Sequence, residues 1–300
     1  MREDATEHRE IDIVRTFNLI TFDIISDLSF GESFDGLKTR TVHPWITAFY
    51  EFMMLQSIFI QLMNLKIPVL SNLAKTVFLP MARRRVGAMN YTKAKIEKRL
   101  DQGNERPDFM SFVLRHNDEK GMSRAEIQAT FNLLMIAGSE TTATLLSGCA
   151  FLLQKNPHVQ EKLEAEIRGK FSDESEITML SVTHLKYLDA VIEESLRCYP
   201  PVPISLNRTT PPEGATICGH WVPGNVFTFH AYEVTAILIT KQVVVGVPQF
   251  AAYSSPLNFA QPQSFVPERM LNDHEAKFDN DRRAVLQPFS AGPRNCIGKK

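Results

Sequence analysis

The 300-residue chain has no surplus of charge: 33 Lys and Arg against 34 Asp and Glu leave a formal net charge of −1 at pH 7. A nucleic-acid binder needs a basic footprint, so that class is set aside. Cysteine is scarce, with Cys149, Cys198, Cys218 and Cys296 far apart and no C-x-x-C pair. Such spacing suggests neither a zinc site nor a disulfide framework, and a reducing compartment fits it best. No signal-peptide pattern is visible in the first residues, Met1-Arg2-Glu3-Asp4-Ala5-Thr6-Glu7, which are charged from the second on. The longest early apolar stretch, Phe52 to Leu65, is broken by Gln56 and Gln61 and is too short to cross a bilayer. What is present is ordinary for a globular protein, 44% hydrophobic and 22% charged, and long enough for one large domain or two small ones.

Hydrophobic periodicity reads mostly as helix. Ile13, Phe17, Ile20, Ile24 and Leu28 recur at helical spacing across residues 8–30, and Gly31 and the Gly36 region end that stretch. His43-Pro44-Trp45 starts a second, apolar helix to Leu65, in which Met53-Met54 suits either core packing or a pliable pocket. A basic helix, Met81 through Leu100, carries Arg83-Arg84-Arg85 with Lys93, Lys95 and Lys98 and reads as a solvated face. After a short helix from Phe109 to His116 comes the longest one. It starts at a capping box, Ser123 as N-cap and Glu126 at N3, and runs to Gln154, where Asn156-Pro157 stops it. At ~1.5 Å per residue it is roughly 45 Å long, and being apolar nearly all round it is expected to be buried. Pro157 opens another helix to about Lys170, and Leu185 to Tyr199 forms the next, ended by Pro200-Pro201. Ala215 to Gly224 reads as a hairpin in which Cys218 is a strand residue. The expected fold class is mainly α with a small β region.

Four stretches stand out. Phe289-Ser290-Ala291-Gly292-Pro293-Arg294-Asn295-Cys296-Ile297-Gly298 sets one cysteine between two glycines and two residues after an arginine. This is a place to present a thiolate: Gly292 and Gly298 permit unusual torsions and close approaches, Arg294 is a cation, and freed backbone N–H groups lower a sulfur's pKa. A lone cysteine is otherwise a small buried hydrophobe. In the middle of the longest helix, Ala137-Gly138-Ser139-Glu140-Thr141-Thr142 holds a carboxylate whose burial is costly without a purpose. The other reading there is a kink with small residues at a packing contact. Glu194 and Arg197 share one helix face, a pattern that alone is most often a surface ion pair worth under about 1 kcal/mol. Phe265-Val266-Pro267-Glu268-Arg269 lies between that pair and the cysteine.

The string F-x-x-G-x-R-x-C-x-G resembles the haem-binding loop of the cytochrome P-450 monooxygenases. A-G-x-[D/E]-T-[T/S] resembles their oxygen-activation motif, and E-x-x-R, then P-E-R, then the cysteine loop is the family's order. The likeness covers essentially the whole chain and is nearest to fungal microsomal members that work on secondary metabolites. It implies the cytochrome P-450 fold and haem b (iron protoporphyrin IX), with Cys296 the axial ligand of the haem iron and thiolate donation favouring O–O cleavage. By the same resemblance Phe289, Gly292 and Gly298 belong to the cofactor loop, and Gly138 clears space where the long helix passes the haem. Arg208 and Arg294 seat propionates, Thr141 hydrogen-bonds dioxygen, and Glu140 relays protons to it. Glu194, Arg197 and Arg269 form a structural cluster that locks the loop, while Pro203 to Arg208 lines the active site. The helix from Trp45 lies over the substrate entrance. The implied function is a monooxygenase hydroxylating a small hydrophobic, secondary-metabolite-like substrate with O2. Its electrons come from NADPH through NADPH-cytochrome P-450 reductase, docked near Arg294, Lys299 and Lys300. The implied location is the cytosolic face of the endoplasmic reticulum membrane, with the cytosol as the alternative for a chain in which no anchor is visible.

The family pattern is departed from in three places. An N-terminal anchor, a proline-rich hinge and an early W-x-x-x-R helix are missing, and the sequence stops at Lys300, before a long helix that the family shows next. The expectation is one partial P-450 domain over 1–300, with two rival functions: a truncated, catalytically inactive fragment, and a helical interaction module without cofactor. The third departure is internal. After Val222-Pro223-Gly224-Asn225 the family proceeds directly to a segment like Val244 to Tyr253. Residues 226–242 intervene, and removing these 17 codons restores the pattern in frame. Valine codons begin with GT and a glutamine codon can be CAG, so Val226 and Gln242 match the borders of an unspliced intron. Such a piece is expected to loop out with few core contacts. A genuine strand extension is the alternative, because Phe227, Phe229 and Ala231 alternate.

Overall fold

The computed structural model describes residues 10–47, 51, 58, 87, 90–103, 106–115, 121–230 and 237–299, and at 225–230 and 237–242 the backbone alone. The chain divides into two compact units, Met1–Ser147 and Gly148–Lys300.

In the first unit, helix α1 (Ile13–Phe30) starts where the Asp12 carboxylate accepts from the Arg15 amide. It stops at Gly31, whose φ of 75° lets its N–H reach back to the Asp27 carbonyl. Its buried face is Leu19, Phe22, Ser26 and Phe30, whereas Ile24 of the expected stripe is 55% exposed. The Asp23 carboxylate accepts from the Gly36 and Leu37 amides, fixing the short α2 (Gly36–Thr39). Residues 44–47 and 90–101 are helical, as expected at both places. Met53-Met54 and Arg83-Arg84-Arg85 lie outside the described residues. Asp108 caps α3 (Phe109–Arg115) through the Ser111 amide and takes a two-pronged bond from Arg99 at 2.7 and 2.9 Å.

Helix α4 (Arg124–Lys155) opens on the expected capping box: the Ser123 amide donates to Glu126 Oε2 at 2.8 Å, and the Glu126 amide donates to Ser123 Oγ at 3.3 Å. Burial is not all round. Ile127, Phe131, Met135, Ser139 and Ala143, each four residues from the last, form one packed strip, while Leu133 and Phe151 are 63% and 59% exposed. Composition sets how apolar a helix is, but neighbours on one side decide which strip is covered. Among the described residues α4 alone is long and apolar enough to cross a membrane, and it lies mid-chain. The core around its strip holds Phe22, Phe30, Trp45, Ile46, Ile96 and Met110.

In the second unit, α5 (Pro157–Lys170) and α6 (Lys186–Cys198) enclose Val159, Leu163 and Val191 together with Phe265. The Glu166 carboxylate on α5 accepts from the Tyr187 and Leu188 amides at 2.8 and 2.9 Å. It thereby satisfies two of the orphan donors at the start of α6. The strands are few and short, so the molecule is mainly helical, as the pattern predicts. Strand β1 (Arg208–Thr209) pairs with β6 (Val244–Val245), and β2 (Ala215–Ile217) with β3 (His220–Val222). Cys218 is not a strand residue: it and Gly219 take φ of 51° and 80° and make the turn of that hairpin.

Strands β4 (Asn225–His230) and β5 (Ile237–Gln242) form a two-stranded antiparallel sheet of their own, from Asn225 opposite Gln242 to His230 opposite Ile237. The inserted stretch thus takes the form of a ladder in which the alternating residues of the two arms pair with each other. Thr210 sits at its base, 3% exposed. Its amide donates to the Val243 carbonyl at 2.9 Å, and its hydroxyl lies 3.1 Å from the Pro223 carbonyl. Helix α7 (Gln249–Tyr253) and a series of single 3-10 turns then lead to the cysteine.

Candidate functional site

The second unit is built on a buried ion network. Glu194 and Arg197, on one face of α6, meet two-pronged: Arg197 Nε and Nη2 donate to the two carboxylate oxygens, both at 2.8 Å. Arg269 Nε donates to Glu194 Oε1 at 3.1 Å, as does the Val266 amide at 3.0 Å. Both arginines also reach backbone carbonyls, Arg197 those of Tyr253, Pro262 and Ser264 and Arg269 those of Ala260 and Gln261. The Phe278 ring lies 4.5 Å from the Arg269 guanidinium. The structure thus brings Glu194, Arg197 and Arg269 together, and adds a residue that sequence reasoning missed. Asp281 Oδ2 accepts from Arg269 Nη1 at 2.7 Å, and all four side chains are at most 1% exposed. No spacing rule points to an aspartate in an irregular run. Glu268 turns the other way, to Lys162 at 2.6 Å and the Tyr187 hydroxyl at 3.0 Å.

From this network the chain runs into the cysteine turn. The Gln287 amide donates to the Tyr253 hydroxyl at 3.0 Å, and Gln249 Nε2 donates to the Gln287 carbonyl at 3.3 Å, so α7 holds Gln287 on both sides. Two residues later the turn closes, with the Cys296 amide donating to the Phe289 carbonyl at 2.8 Å and that of Asn295 to Gly292 at 3.1 Å. Gly292 sits at φ 82°, a torsion that favours glycine. Gly298 has an ordinary φ of −82°, so unusual torsion does not explain it, and a Cβ there would lie 3.7 Å from the Cys296 sulfur. Cys296 and Arg294 are exposed.

The other cysteines differ. Burial, reinforced by the Glu194 charge, pushes the Cys198 thiol up to about 12, and burial raises that of Cys149. Both are held as neutral thiols. Cys218 is exposed in its hairpin turn.

Beside the turn is a cavity of about 580 Å³, lined among others by Leu206, Arg208, Ile217, Val245, Val285 and Ser290. Gly246 on its wall lies tight against the neighbouring chain segment, since a Cβ there would lie 2.9 Å from that of Ser205. The Arg208 guanidinium is folded onto the Leu206 and Asn207 carbonyls at 3.3 and 3.0 Å.

Gly138, Glu140 and Thr141 belong to the first unit. Gly138 is a packing contact, since an added Cβ would lie 2.7 Å from Ile25 Cδ1 on α1. Burial holds the Glu140 carboxyl above the usual carboxylate range, opposed by a hydrogen bond from Thr144. Its Oε2 is buried without a partner. The Thr141 hydroxyl donates back to the Ala137 carbonyl at 2.6 Å.

A helical molecule whose buried Glu–Arg–Arg cluster leads into a glycine-bounded cysteine turn has a family. The chain belongs to the cytochrome P450 family, whose model, "Cytochrome P450", matches residues 1–300. It is 44% identical over 298 residues to the cytochrome P450 monooxygenase astA of Talaromyces wortmannii, covering 98% of this chain and 56% of that protein. It is 41% identical over 292 residues to the averantin hydroxylase of Dothistroma septosporum, covering 97% of this chain and 51% of that one. A solved cytochrome P450DA heme domain shares the fold, with a TM-score of 0.73 at 20% identity, over 97% of this chain and 58% of that one. The chain spans a little over half the length of these curated relatives.

Proposed function

We propose that this chain works as a haem-dependent monooxygenase of the fungal secondary-metabolite type, hydroxylating a small hydrophobic substrate with O2. The observation that carries the reading is the cysteine turn. Cys296 is presented at the surface of a turn closed by its own amide, whereas Cys149 and Cys198 are kept protonated by burial. The residues beside it suit haem b. The cavity is mostly apolar, as a porphyrin requires, and Arg208 on its wall would find a stronger, charge-assisted partner in a carboxylate than in its own backbone carbonyls. Cys296 would hold the iron, Phe289, Gly292 and Gly298 would shape the loop, and Arg208 with the exposed Arg294 would seat the propionates. When bound, the haem supplies dioxygen activation and oxygen insertion, which no side chain can perform.

The chain's own contribution is proton control. Glu140 is held above the usual carboxylate range by burial, so it keeps its proton closer to neutral pH and serves as a general acid. Its unpartnered Oε2 is free to take a new donor. The Thr141 hydroxyl, which donates to the Ala137 carbonyl, would turn to hydrogen-bond dioxygen as the family resemblance implies. Electrons would come from NADPH-cytochrome P-450 reductase against the face of Arg294 and Lys299, with the protein at the cytosolic side of the endoplasmic reticulum. The relatives at 44% and 41% identity support this reading through their names, a monooxygenase and a hydroxylase.

The test is the reduced carbon monoxide spectrum of the haem-reconstituted chain. A thiolate-type band should appear, should vanish in Cys296→Ala, and should survive in Cys149→Ala, Cys198→Ala and Cys218→Ala. A thiolate band in Cys296→Ala overturns the ligand assignment. Absence of haem uptake by the parent chain overturns the monooxygenase reading.

A further inference from the structure

Glu194 with two arginines leaves an unbalanced charge. One carboxylate against two guanidiniums, all three at most 1% exposed, is a net buried cation. Buried charge is tolerated when it is paired and fully hydrogen-bonded. Asp281 supplies the missing negative charge: its Oδ2 takes Arg269 Nη1 at 2.7 Å, and its own side chain is 1% exposed. The second oxygen is also used. Asp281 Oδ1 accepts from the Ala260 amide at 2.6 Å, so one carboxylate ties the arginine to the backbone stretch before it.

Asp281 also stands where the chain leaves the network for the cysteine turn. Its amide donates to the Phe278 carbonyl at 3.0 Å, and the next amide, Arg282, donates to the Asn258 carbonyl at 2.7 Å. Past it, the Arg283 guanidinium reaches the Leu271 carbonyl at 3.2 Å, and the 3-10 turn Arg283–Val285 carries the chain to Gln287 and its α7 clamp. The route from the ion network to Phe289 and Cys296 is therefore a series of short, hydrogen-bonded steps that begins at this carboxylate.

We propose that Asp281 is a positioning residue for the cysteine turn, closing the buried Glu194–Arg197–Arg269 network to neutrality and anchoring to it the run that carries Cys296. The inference builds on the haem-thiolate reading for its purpose, but its physical content holds in the haem-free chain. Asp281→Asn keeps shape and volume, removes the charge, and turns one of two acceptors into a donor that faces either Arg269 or the Ala260 amide.

The experiment is amide hydrogen exchange on the 300-residue chain without haem, followed by the reduced carbon monoxide spectrum after reconstitution. In Asp281→Asn the amides of Ala260, Gln287 and Cys296 should exchange about tenfold faster or more, while those of Ile127 to Ser139 on α4 and of the β2–β3 hairpin keep the parent rate. Where that variant does not fold, Asp281→Asn combined with Arg269→Gln restores neutrality, and the double variant should be folded with the same two amides, Gln287 and Cys296, still fast. The reconstituted variant should lose part of its thiolate-type band to the band of a displaced or protonated sulfur. Unchanged exchange at Gln287 and Cys296, or an equal rise at every amide, overturns the proposal. A parent chain with no thiolate band overturns the haem reading alone, because the exchange result stands without it.

Discussion

Glu194 is the most heavily used carboxylate of the second unit, and replacing it by glutamine is the sharpest test of the energetics. It accepts two bonds from Arg197, one from Arg269 and one from the Val266 amide, at 0% exposure. Glu194→Gln keeps the volume but changes two things. One carboxylate oxygen becomes an NH2 group that faces guanidinium donors, and a balanced set of two carboxylates and two guanidiniums acquires a net positive charge. Breaking a buried pair by removing one partner costs about 3–5 kcal/mol, because the other charge stays buried and unpaired. Set against a total stability of about 5–15 kcal/mol for a domain, that is a large share. Urea unfolding followed by far-ultraviolet circular dichroism should show the midpoint falling by about 1 M or more with an unchanged slope. Lys162→Ala is the control: its side chain is 56% exposed, and its bridge to Glu268 should be worth under about 1 kcal/mol. A loss below about 1 kcal/mol in Glu194→Gln would show that water reaches the network and would refute the reasoning.

Three further outcomes are expected. Glu140 has a folded-state pKa above its unfolded value, so the stability it contributes is full below the ordinary carboxylate range and is lost as pH rises through the folded value. Glu140→Gln should therefore flatten thermal stability against pH above that range and raise it by on the order of 1 kcal/mol at neutral pH, a modest figure because the group is half solvated; an unchanged pH profile counts against the burial argument. Deleting 226–242 should leave the thermal midpoint and the helical signal unchanged, since among the described residues β4 and β5 pair only with each other; a chain that no longer folds would make the segment a true strand extension, and a Gln242 codon of CAA would exclude an intron origin. Thr141→Ala, in a haem-loaded and reducible preparation, should divert reducing equivalents to hydrogen peroxide, and unchanged coupling would remove Thr141 from proton delivery.

What could be read from the sequence was local. Ser123 and Glu126 form their box within one turn, Gly31 ends α1 by its own torsion, and Pro157 opens α5, because each needs only near neighbours. Glu194 and Arg197 were legible as a pair for the same reason, and Arg269 only through a family pattern. Asp281 and Thr210 were not legible: their partners are fixed by how irregular segments fold back, which leaves no period in the sequence. Burial along α4 is not legible for a related reason. Hydropathy counts apolar residues, but the covered strip from Ile127 to Ala143 follows from what lies against it. At Cys218 the β-branched neighbours point to a strand, whereas Cys218 and Gly219 both take positive φ and make the turn.

The contrast among the cysteines also gives the chain a built-in gauge of its own folding. A thiol-specific reagent attacks the thiolate, and the native chain offers Cys218 and Cys296 on its surface while Cys149 and Cys198 are withheld by burial. Labelling stoichiometry therefore counts folded molecules directly: two fast equivalents per chain report an intact second unit, and the slower pair is released only as α6 parts from the segments packed over Cys198. Because Cys198 follows Arg197 in the chain and lies against the Ser264 carbonyl, the rate of that last equivalent follows the opening of the ion network itself.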